Sequence, residues 1–411
     1  MPSMDRPILG ITMGDPASIG PEIAAKALAD PSVYARARPF VIGDRNAMVD
    51  ALRITKLPLA LSPISTVADA RFTHGSLDVL DLANVDMARL QYGRVSAMCG
   101  KASVEYIERG IAMALAGEIH AVVTGPIHKE SINQAGCPHP GHTEIFGALT
   151  NTKDYAMMLL GEDLRVVHVS THVSLREAIE RTKKPRILTV IRLAHRALKA
   201  LGIAEPKIVV AGLNPHAGEH GLFGDEEIKE IIPAIEEAKV EGIRVDGPIA
   251  PDTVFGRARG GLYDIVVCMY HDQGHVPLKT LGFTFDRATQ KWTSVSGVNV
   301  TLGLPIIRTS VDHGTAFGKA GKGTAAHQSM LDAIDVAVRL AHGRESVRLR
   351  RIGALARRCD VRTKYASHLH PSCGWVPGTP PCIWTFLSSL GENEFFSILL
   401  GLGVPGCRSA R

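Results

Sequence analysis

The sequence predicts an α/β fold in which a mainly parallel sheet is flanked by helices on both faces. Apolar runs of strand length recur along the chain, and amphipathic segments of helix length separate them. Glycine, proline and polar residues mark most of the boundaries between these segments. Strands that alternate with helices of this length are typical of parallel sheets, because each return to the same edge of the sheet needs a crossover.

The first predicted unit is a strand, a loop and a helix. The apolar run 7–13 is interrupted by Gly-Asp-Pro at 14–16, and Pro21 then opens an amphipathic helix that extends to Leu28. Proline in a first helical turn costs no hydrogen bond. Further strands are predicted at 40–43, 121–124, 165–170, 208–213, 265–270 and 305–308. Further helices are predicted at 102–116, 185–201 and 226–240.

The charge is unevenly distributed along the chain. The net charge is +5, but residues 343–411 hold ten Lys/Arg against four Asp/Glu, whereas residues 1–342 hold 36 against 37. The body therefore has no overall attraction for polyanions, which argues against a nucleic-acid partner.

We expect residues 1–342 to form two interleaved α/β subdomains with a cleft between them. The tail, 343–411, is rich in Arg, Cys, Pro and Gly, and we expect it to be poorly ordered and non-catalytic.

The sequence also predicts a soluble, cytoplasmic protein with no membrane partner. Its apolar runs are too short to cross a bilayer, and the first residues lack a basic segment followed by a long apolar one. The seven cysteines contain no CxxC pair, which fits a reducing compartment.

Three histidines each follow the end of a predicted strand. They are His172, His216 and His271. The carboxyl ends of parallel strands meet at one edge, so these side chains are candidates for a common site. Imidazole suits zinc and similar ions, and three protein ligands with one open position are typical of catalytic metals. Ordinary polar loop histidines remain the alternative at this stage. Asp252 and Asp272 are candidates to orient the imidazoles, and a helix cap is the alternative for Asp252.

Several residues near these histidines suit an anionic ligand. His142 and Thr143 lie at a predicted helix start, where backbone N–H groups attract anions. Lys279 supplies a positive charge, and Arg308, at the end of its predicted strand, can bind a carboxylate or phosphate through two hydrogen bonds. The glycine-rich segment 313–323 has neither a GxGxxG nor a Walker pattern, so the residues alone indicate only a possible nucleotide loop.

The chain resembles the 4-hydroxythreonine-4-phosphate dehydrogenase family between Ile8 and about Leu340. The resemblance rests on these segments, in this order: ITMGDPASIGPEI, VVTGPIHKESINQAG, PGHTEIF, STHVSLREA, NPHAGE, PDTVF, YHDQGHVPLK, GVNVTLGLPIIRTSVDHGTAF and AGKG. It implies a fold like that of the isocitrate and isopropylmalate dehydrogenases and a homodimer. It also implies that His172, His216 and His271 bind a divalent metal (Zn, Mg, Mn or Co) in a site shared between two subunits.

The resemblance further implies a phosphorylated substrate and a nicotinamide cofactor. The substrate positions are His142, Thr143, Lys279, Asn299 and Arg308. The cofactor positions are Gly14, Asp15, His313, Gly314, Thr315, Ala316 and Gly321. NAD is the expected cofactor, and NADP stays possible because Gly318 stands where many relatives carry an Asp that holds the adenosine ribose.

The resemblance therefore implies a metal-dependent dehydrogenase that oxidises a four-carbon 4-phosphorylated hydroxy acid and decarboxylates it through a 3-oxo acid. The segment 283–296 is longer than in the pyridoxine-pathway enzyme and resembles the branch that acts on D-threonate or D-erythronate 4-phosphate. The substrate therefore stays open between those compounds and 4-hydroxythreonine 4-phosphate. A metal-dependent hydrolase or phosphatase that uses the same three histidines is the alternative from a different class.

Overall fold

The computed structural model describes residues 6–161, 163–287, 291–295 and 297–346. The predictions for the tail beyond residue 346, and those for residues 288–290 and 296 of the long segment, lie outside the described residues. The chain up to Arg344 forms one compact unit. Within the described ranges, no helix has both the length and the apolar character needed to cross a membrane.

Fourteen strands are assigned within the described residues. They are β1 (Ile8–Thr12), β2 (Arg38–Gly43), β3 (Ala60–Ile64), β4 (Ser76–Asp81), β5 (Ala121–Thr124), β6 (Ala156–Leu160), β7 (Arg165–His168), β8 (Ile208–Ala211), β9 (Val245–Ile249), β10 (Ile265–Cys268), β11 (Phe283–Asp286), β12 (Lys291–Val295), β13 (Val298–Leu302) and β14 (Ile307–Val311).

The helices cover the faces of the sheet. They are α1 (Gly20–Leu28), α2 (Pro31–Arg36), α3 (Arg45–Thr55), α4 (Ala97–Leu115), α5 (Lys129–Gln134), α6 (His142–Leu149), α7 (Leu175–Arg181), α8 (Lys184–Ala200), α9 (Ile232–Val240), α10 (Pro251–Arg259), α11 (His271–Gly282) and α12 (328–346).

Twelve strands form one sheet that reverses direction in its middle. The order is β3-β4-β2-β1-β5-β14-β13-β6-β7-β10-β8-β9, and β11 pairs with β12 as a separate hairpin. The first six strands are mutually parallel, and so are the last four. Between them, β13 and β6 make antiparallel pairs with each other and with their outer neighbours. The two parallel sets therefore run in opposite directions, and the prediction of a mainly parallel sheet is confirmed.

Side chains alternate between two apolar layers in the second set of strands. Val166, Val209 and Val266 face one layer together with residues of α10 and α11. The next residues along the same strands face the main core, which also contains residues of α8 and α9. Burial on both faces explains why these strands are continuous apolar runs in the sequence.

One predicted strand is displaced, and the displacement moves a functional residue. The sequence placed Arg308 at the end of a strand over 305–308, but β14 begins at Ile307 and continues to Val311. In β14, Arg308 lies opposite Val122 of β5. Thr309 and Ser310 are polar although they are buried. The apolar run in the sequence therefore stops before the strand does.

Candidate active site

A cavity of about 320 Å³ lies beside the strands where the sheet changes direction. Side chains of β13 and β14 and residues of α6 and α11 line it together with the loops that follow β5, β7 and β14. Nine of the predicted site residues line this cavity: His142, Thr143, His172, His271, Lys279, Asn299, Arg308, His313 and Gly314. Residues that are far apart in the sequence thus meet at one place.

Arg308 is a buried guanidinium in the cavity wall. Its Nη1 donates to Asn299 Oδ1 (3.3 Å) and Thr301 Oγ1 (3.0 Å), and its Nη2 donates to Thr124 Oγ1 (2.9 Å). These acceptors are neutral, and within the described part of the chain no carboxylate forms an ion pair with Arg308. Burial lowers the pKa of the guanidinium, which nevertheless keeps its charge. Glu144 on the same wall opposes the effect of burial on the pKa of Arg308 but forms no ion pair with it. A buried charge without a hydrogen-bonded countercharge is costly, so this arrangement indicates an anionic ligand.

The first turn of α6 adds further groups to the same wall. His142 begins the helix, and its Nε2 is buried without a hydrogen-bond partner among the described residues. Burial, and then the charge of Arg308, hold the pKa of His142 well below its usual value, so its ring is neutral. Thr143 follows it and is also buried. An unpaired imidazole nitrogen and a hydroxyl at a helix start suit an oxygen-rich ligand.

Two of the three predicted metal ligands are neighbours in the cavity. The ring centres of His172 and His271 lie 5.6 Å apart. His271 Nδ1 donates to Asp272 Oδ1 at 2.7 Å, and this bond lowers the pKa of Asp272. His172 Nδ1 lies 3.7 Å from Glu144 Oε1. A carboxylate at Nδ1 leaves Nε2 of each ring available to a metal ion.

His216, the third predicted metal ligand, does not line the cavity with His172 and His271. It lies on the loop after β8, its side chain is 64% exposed, and its Nδ1 lies 3.4 Å from Glu219 Oε2. Residues 216–220 all have positive φ, a conformation that is strained for the four residues that are not glycine. In the described part of one chain, no three His, Cys, Asp or Glu side chains are placed to hold a metal ion together.

A buried carboxylate fixes the loop that carries His216. Glu227 Oε1 accepts hydrogen bonds from the backbone N–H groups of Leu213 (2.7 Å) and Asn214 (2.8 Å). Its Oε2 accepts a third from Asn214 Nδ2 at 2.8 Å. These hydrogen bonds fix the start of the strained loop. Backbone strain that the surrounding structure maintains in this way is typical of functional loops.

Asp252 does not line the cavity that contains His172 and His271. It is the second residue of α10 and lines a different surface depression, together with Tyr270 and Asp272. The helix-cap alternative for Asp252 is wrong, because the N-cap is Ala250 and no side chain caps this helix. The sequence places Asp252 close to a helix start but does not show which residue adopts the cap conformation.

The predicted cofactor residues form two adjoining loops. Gly14 has a φ of +78°, and a Cβ there would lie 2.5 Å from the carbonyl oxygen of Pro126. The next residue, Asp15, is fully buried; burial raises its pKa to about 6, although it accepts a hydrogen bond from Ala17 N (2.8 Å). The N–H of Ile19 donates to the carbonyl of Thr315 (3.3 Å), which joins this loop to the glycine-rich segment.

Two residues of α1 hold the glycine-rich segment from below. Glu22 Oε1 accepts from Gly321 N at 2.7 Å, and Lys26 Nζ donates to the carbonyls of Gly323 and Ala325, each at 2.7 Å. In the sequence, Glu22 and Lys26 resemble an ordinary surface pair on an amphipathic helix. Only the packing of α1 against the segment shows their contact with it.

Four titratable residues of the cavity wall were not predicted from the sequence: Lys129, Glu144, His275 and Asp312. Lys129 lies in the motif that follows the strand at 121–124, and Asp312 directly precedes the glycine-rich segment 313–323. His275 Nδ1 donates to the carbonyl of His271 (2.9 Å), and its ring stacks on that of His271 with 3.6 Å between centres. The spacing of four residues from His271 could have revealed this contact, because such pairs share one face of a helix.

The arrangement has counterparts among known proteins. A sequence profile described as "Pyridoxal phosphate biosynthetic protein PdxA" matches residues 35–337. The chain belongs to this family. The resemblance read from the sequence motifs is therefore confirmed.

Several relatives of this PdxA-family chain have names that include an activity. It is 47% identical over 335 residues to "D-threonate 4-phosphate dehydrogenase" of Pectobacterium atrosepticum, covering 81% of this chain and 99% of the relative. Crystal structures of 4-hydroxythreonine-4-phosphate dehydrogenases from Klebsiella pneumoniae and Burkholderia phymatum match with TM-scores of 0.72 and 0.70 and identities of 43% and 42%. Each match covers 82% of this chain and 99% of the solved chain.

Proposed function

We propose that this protein is a metal-dependent, nicotinamide-dependent dehydrogenase of a four-carbon 4-phosphorylated hydroxy acid. The observation that carries the proposal is the cavity in which a buried Arg308, which forms no ion pair with a described carboxylate, lies close to the His172–His271 pair. The named activities of relatives at 42–47% identity support the same reaction class.

The charged ends of the substrate would bind to the basic side of the cavity. Arg308, with Asn299 beside it, supplies a rigid donor group for a carboxylate or phosphate. Lys279 and the His142–Thr143 pair supply a second set of polar groups on α11 and α6. Two anchors on one small molecule fix the carbon that reacts, which is the main contribution of positioning to the rate.

The donor set fits a divalent metal. His172 and His271 would hold the ion through Nε2, while Glu144 and Asp272 orient the rings. When bound, such an ion supplies Lewis-acid polarisation of the substrate hydroxyl. His275, stacked on His271, keeps that ring in place.

We propose that the third ligand is His216 of a second subunit in a homodimer. Within one chain its loop points the ring to solvent, yet Glu227 holds that loop firmly. Beside it, Leu222 is 72% exposed and Phe223 48% exposed. Exposed apolar side chains next to a rigid, strained loop support a contact with another copy of the chain.

The cofactor would bind along the loops at 14–15 and 313–321. His313 and Gly314 line the cavity, and the rest of the segment extends from it over α1. Nicotinamide would then lie next to the substrate carbon. Oxidation of a hydroxyl at C3 gives a 3-oxo acid, which loses CO2 readily because its carboxylate carbon is β to the new carbonyl.

The discriminating experiment is a substrate panel with the purified protein. It compares 4-hydroxythreonine, D-threonate and D-erythronate 4-phosphates, each with NAD and with NADP, in the presence of Zn²⁺, Mg²⁺, Mn²⁺ or Co²⁺. We expect NADH or NADPH formation and CO2 release with at least one compound. Release of inorganic phosphate without cofactor reduction would instead identify the hydrolase alternative, and no reaction of either kind would reject the proposed function.

A further inference from the structure

We propose that Asp312 is the general base that accepts the proton of the substrate hydroxyl. This inference rests on the proposed dehydrogenase function and adds a catalytic residue to it. Asp312 directly follows β14, between the anion-binding Arg308 and His313 of the predicted cofactor loop. It therefore lies where substrate and nicotinamide would meet.

The protein builds a pocket around this carboxyl group. The backbone N–H of Asp312 donates to Ser329 Oγ at 3.1 Å, and Ser329 Oγ donates in turn to the carbonyl of Gly297 at 2.6 Å. A Cβ on residue 297 would lie 3.1 Å from Asp312 Oδ2, so glycine leaves room for the carboxyl group. That oxygen is buried and has no hydrogen-bond partner among the described residues. An unsatisfied buried carboxyl oxygen in the wall of a cavity requires an explanation, and proton transfer to a ligand in that cavity supplies one.

Asp312 and Glu144, the two carboxylates of the cavity wall, have different electrostatic surroundings. Lys279 on α11 is the cation that opposes the effect of burial on Asp312, and Arg308, His313 and Lys129 also line the cavity. Burial alone would raise the pKa of Glu144, but the neighbouring His172 ring, 3.7 Å from Glu144 Oε1, and the charge of Lys129 lower it overall. Glu144 thus stays ionised.

Among the described residues no hydrogen bond lowers the pKa of Asp312, and burial raises it to about 6. A group whose pKa lies near the working pH exchanges protons most effectively. Carboxyl groups whose environments drive their pKa values apart are typical of sites that divide acid–base work between them. Of the two, Glu144 suits the orientation of His172, and Asp312 suits proton transfer.

The step balances as an ordinary alcohol oxidation. The O–H bond of the substrate breaks, and its proton goes to a carboxylate oxygen of Asp312. The O–H electron pair forms the second bond of the new carbonyl, while the C–H bond breaks and its hydride goes to the nicotinamide ring of the oxidised dinucleotide. Asp312 then returns the proton to solvent.

The test is Asp312→Asn, studied with the metal-loaded enzyme and the substrate that the wild type oxidises best. We expect kcat to fall by about 100-fold or more, the usual contribution of a positioned base. The acidic limb of the wild-type profile of kcat/KM against pH, where activity rises as the carboxylate forms, should disappear. The Kd of NADH, measured by fluorescence, should stay within about threefold. In Asp312→Ala, added formate should restore part of the rate.

A matched control is Asp78→Asn. Asp78 on β4 is also buried and its Oδ1 also has no hydrogen-bond partner among the described residues, but it does not line the cavity. That variant should keep the acidic limb. An Asp312→Asn enzyme with near-normal kcat, an unchanged acidic limb, or a loss that is fully explained by weaker NADH binding would each overturn the proposal.

The wild-type pH profile tests the idea without any variant, because absence of an acidic limb also refutes it. Failure of the proposed function would look different. It would appear as a wild type that reduces neither NAD nor NADP with any substrate.

Discussion

Replacement of Asp15 by Asn should stabilise the protein above about pH 6 and have little effect below about pH 4. The carboxyl group of Asp15 is fully buried at the start of the loop after β1, and its Oδ2 has no partner among the described residues. Burial raises its pKa from 3.8 to about 6, against hydrogen bonds from Ala17 and Ser131 and the charge of His128. Asparagine has the same shape and keeps an oxygen that can accept from Ala17.

The magnitude follows from the difference between the folded and unfolded pKa values. Each pKa unit corresponds to about 1.4 kcal/mol, so the shift of Asp15 amounts to about 3 kcal/mol. The folded protein binds this proton more tightly than the unfolded chain does, so the bound proton adds to the free energy of unfolding in acid. The wild type loses this contribution as pH rises from 3.8 to about 6. The variant has no such proton to lose. For the compact unit Met1–Arg344, 3 kcal/mol corresponds to roughly 4 °C in Tm.

The assay is the Tm of wild type and Asp15→Asn by calorimetry at several pH values from 4 to 8. Other titrating groups affect both proteins alike, so the difference between the two Tm curves reports Asp15 alone. We expect the variant to gain relative to the wild type up to about pH 6 and then to keep a constant advantage. Parallel Tm curves across this range would refute the reasoning, because they would mean that Asp15 is not buried in a costly ionised form.

Three further predictions concern the metal and the substrate. His216→Ala should abolish metal retention and turnover while its circular dichroism stays that of the wild type; full activity without bound metal would contradict the ligand assignment. Lys279→Ala should raise KM by roughly 10- to 100-fold, as expected for a lost hydrogen bond to a charged group, with a smaller change in kcat; an unchanged KM would argue against an anchoring role. Glu227→Gln replaces the oxygen that accepts from Asn214 Nδ2 and should reduce metal content, measured by mass spectrometry, without a large loss of Tm. Normal metal content in that variant would show that the His216 loop does not depend on Glu227.

Much of the fold follows from local patterns in the sequence. The strand at 121–124 and the helix at 185–201 match β5 and α8 to within a residue at each end, because both are strongly apolar or strongly amphipathic. Edge strands such as β3 and the antiparallel pair β6 and β13 were not predicted. The apolar run of β6 could have indicated a strand. Its antiparallel pairing with β13 depends on the strands beside it and is not visible in either segment alone.

The sequence predicted the chemistry of the site better than its geometry. His142, Lys279 and Arg308 do line one cavity with His172 and His271. That cavity does not lie at a single edge of a parallel sheet, as the reasoning from strand ends assumed. It lies where two oppositely directed sets of strands meet, and the reversal arises from antiparallel pairings that only the folded chain specifies.

The sequence by itself determined the fold class, the family and the residues that could bind an anion and a metal. Composition, periodicity and ordered motifs suffice for these, because they depend on residue type and local order. The tertiary structure decided which residues meet. It separated His216 from His172 and His271 within one chain and gave Arg308 neutral hydrogen-bond acceptors. It also placed Asp312 in the cavity with an oxygen that has no partner among the described residues. Burial and the pairing of distant segments set these properties, and the residues adjacent in the sequence do not specify either of them.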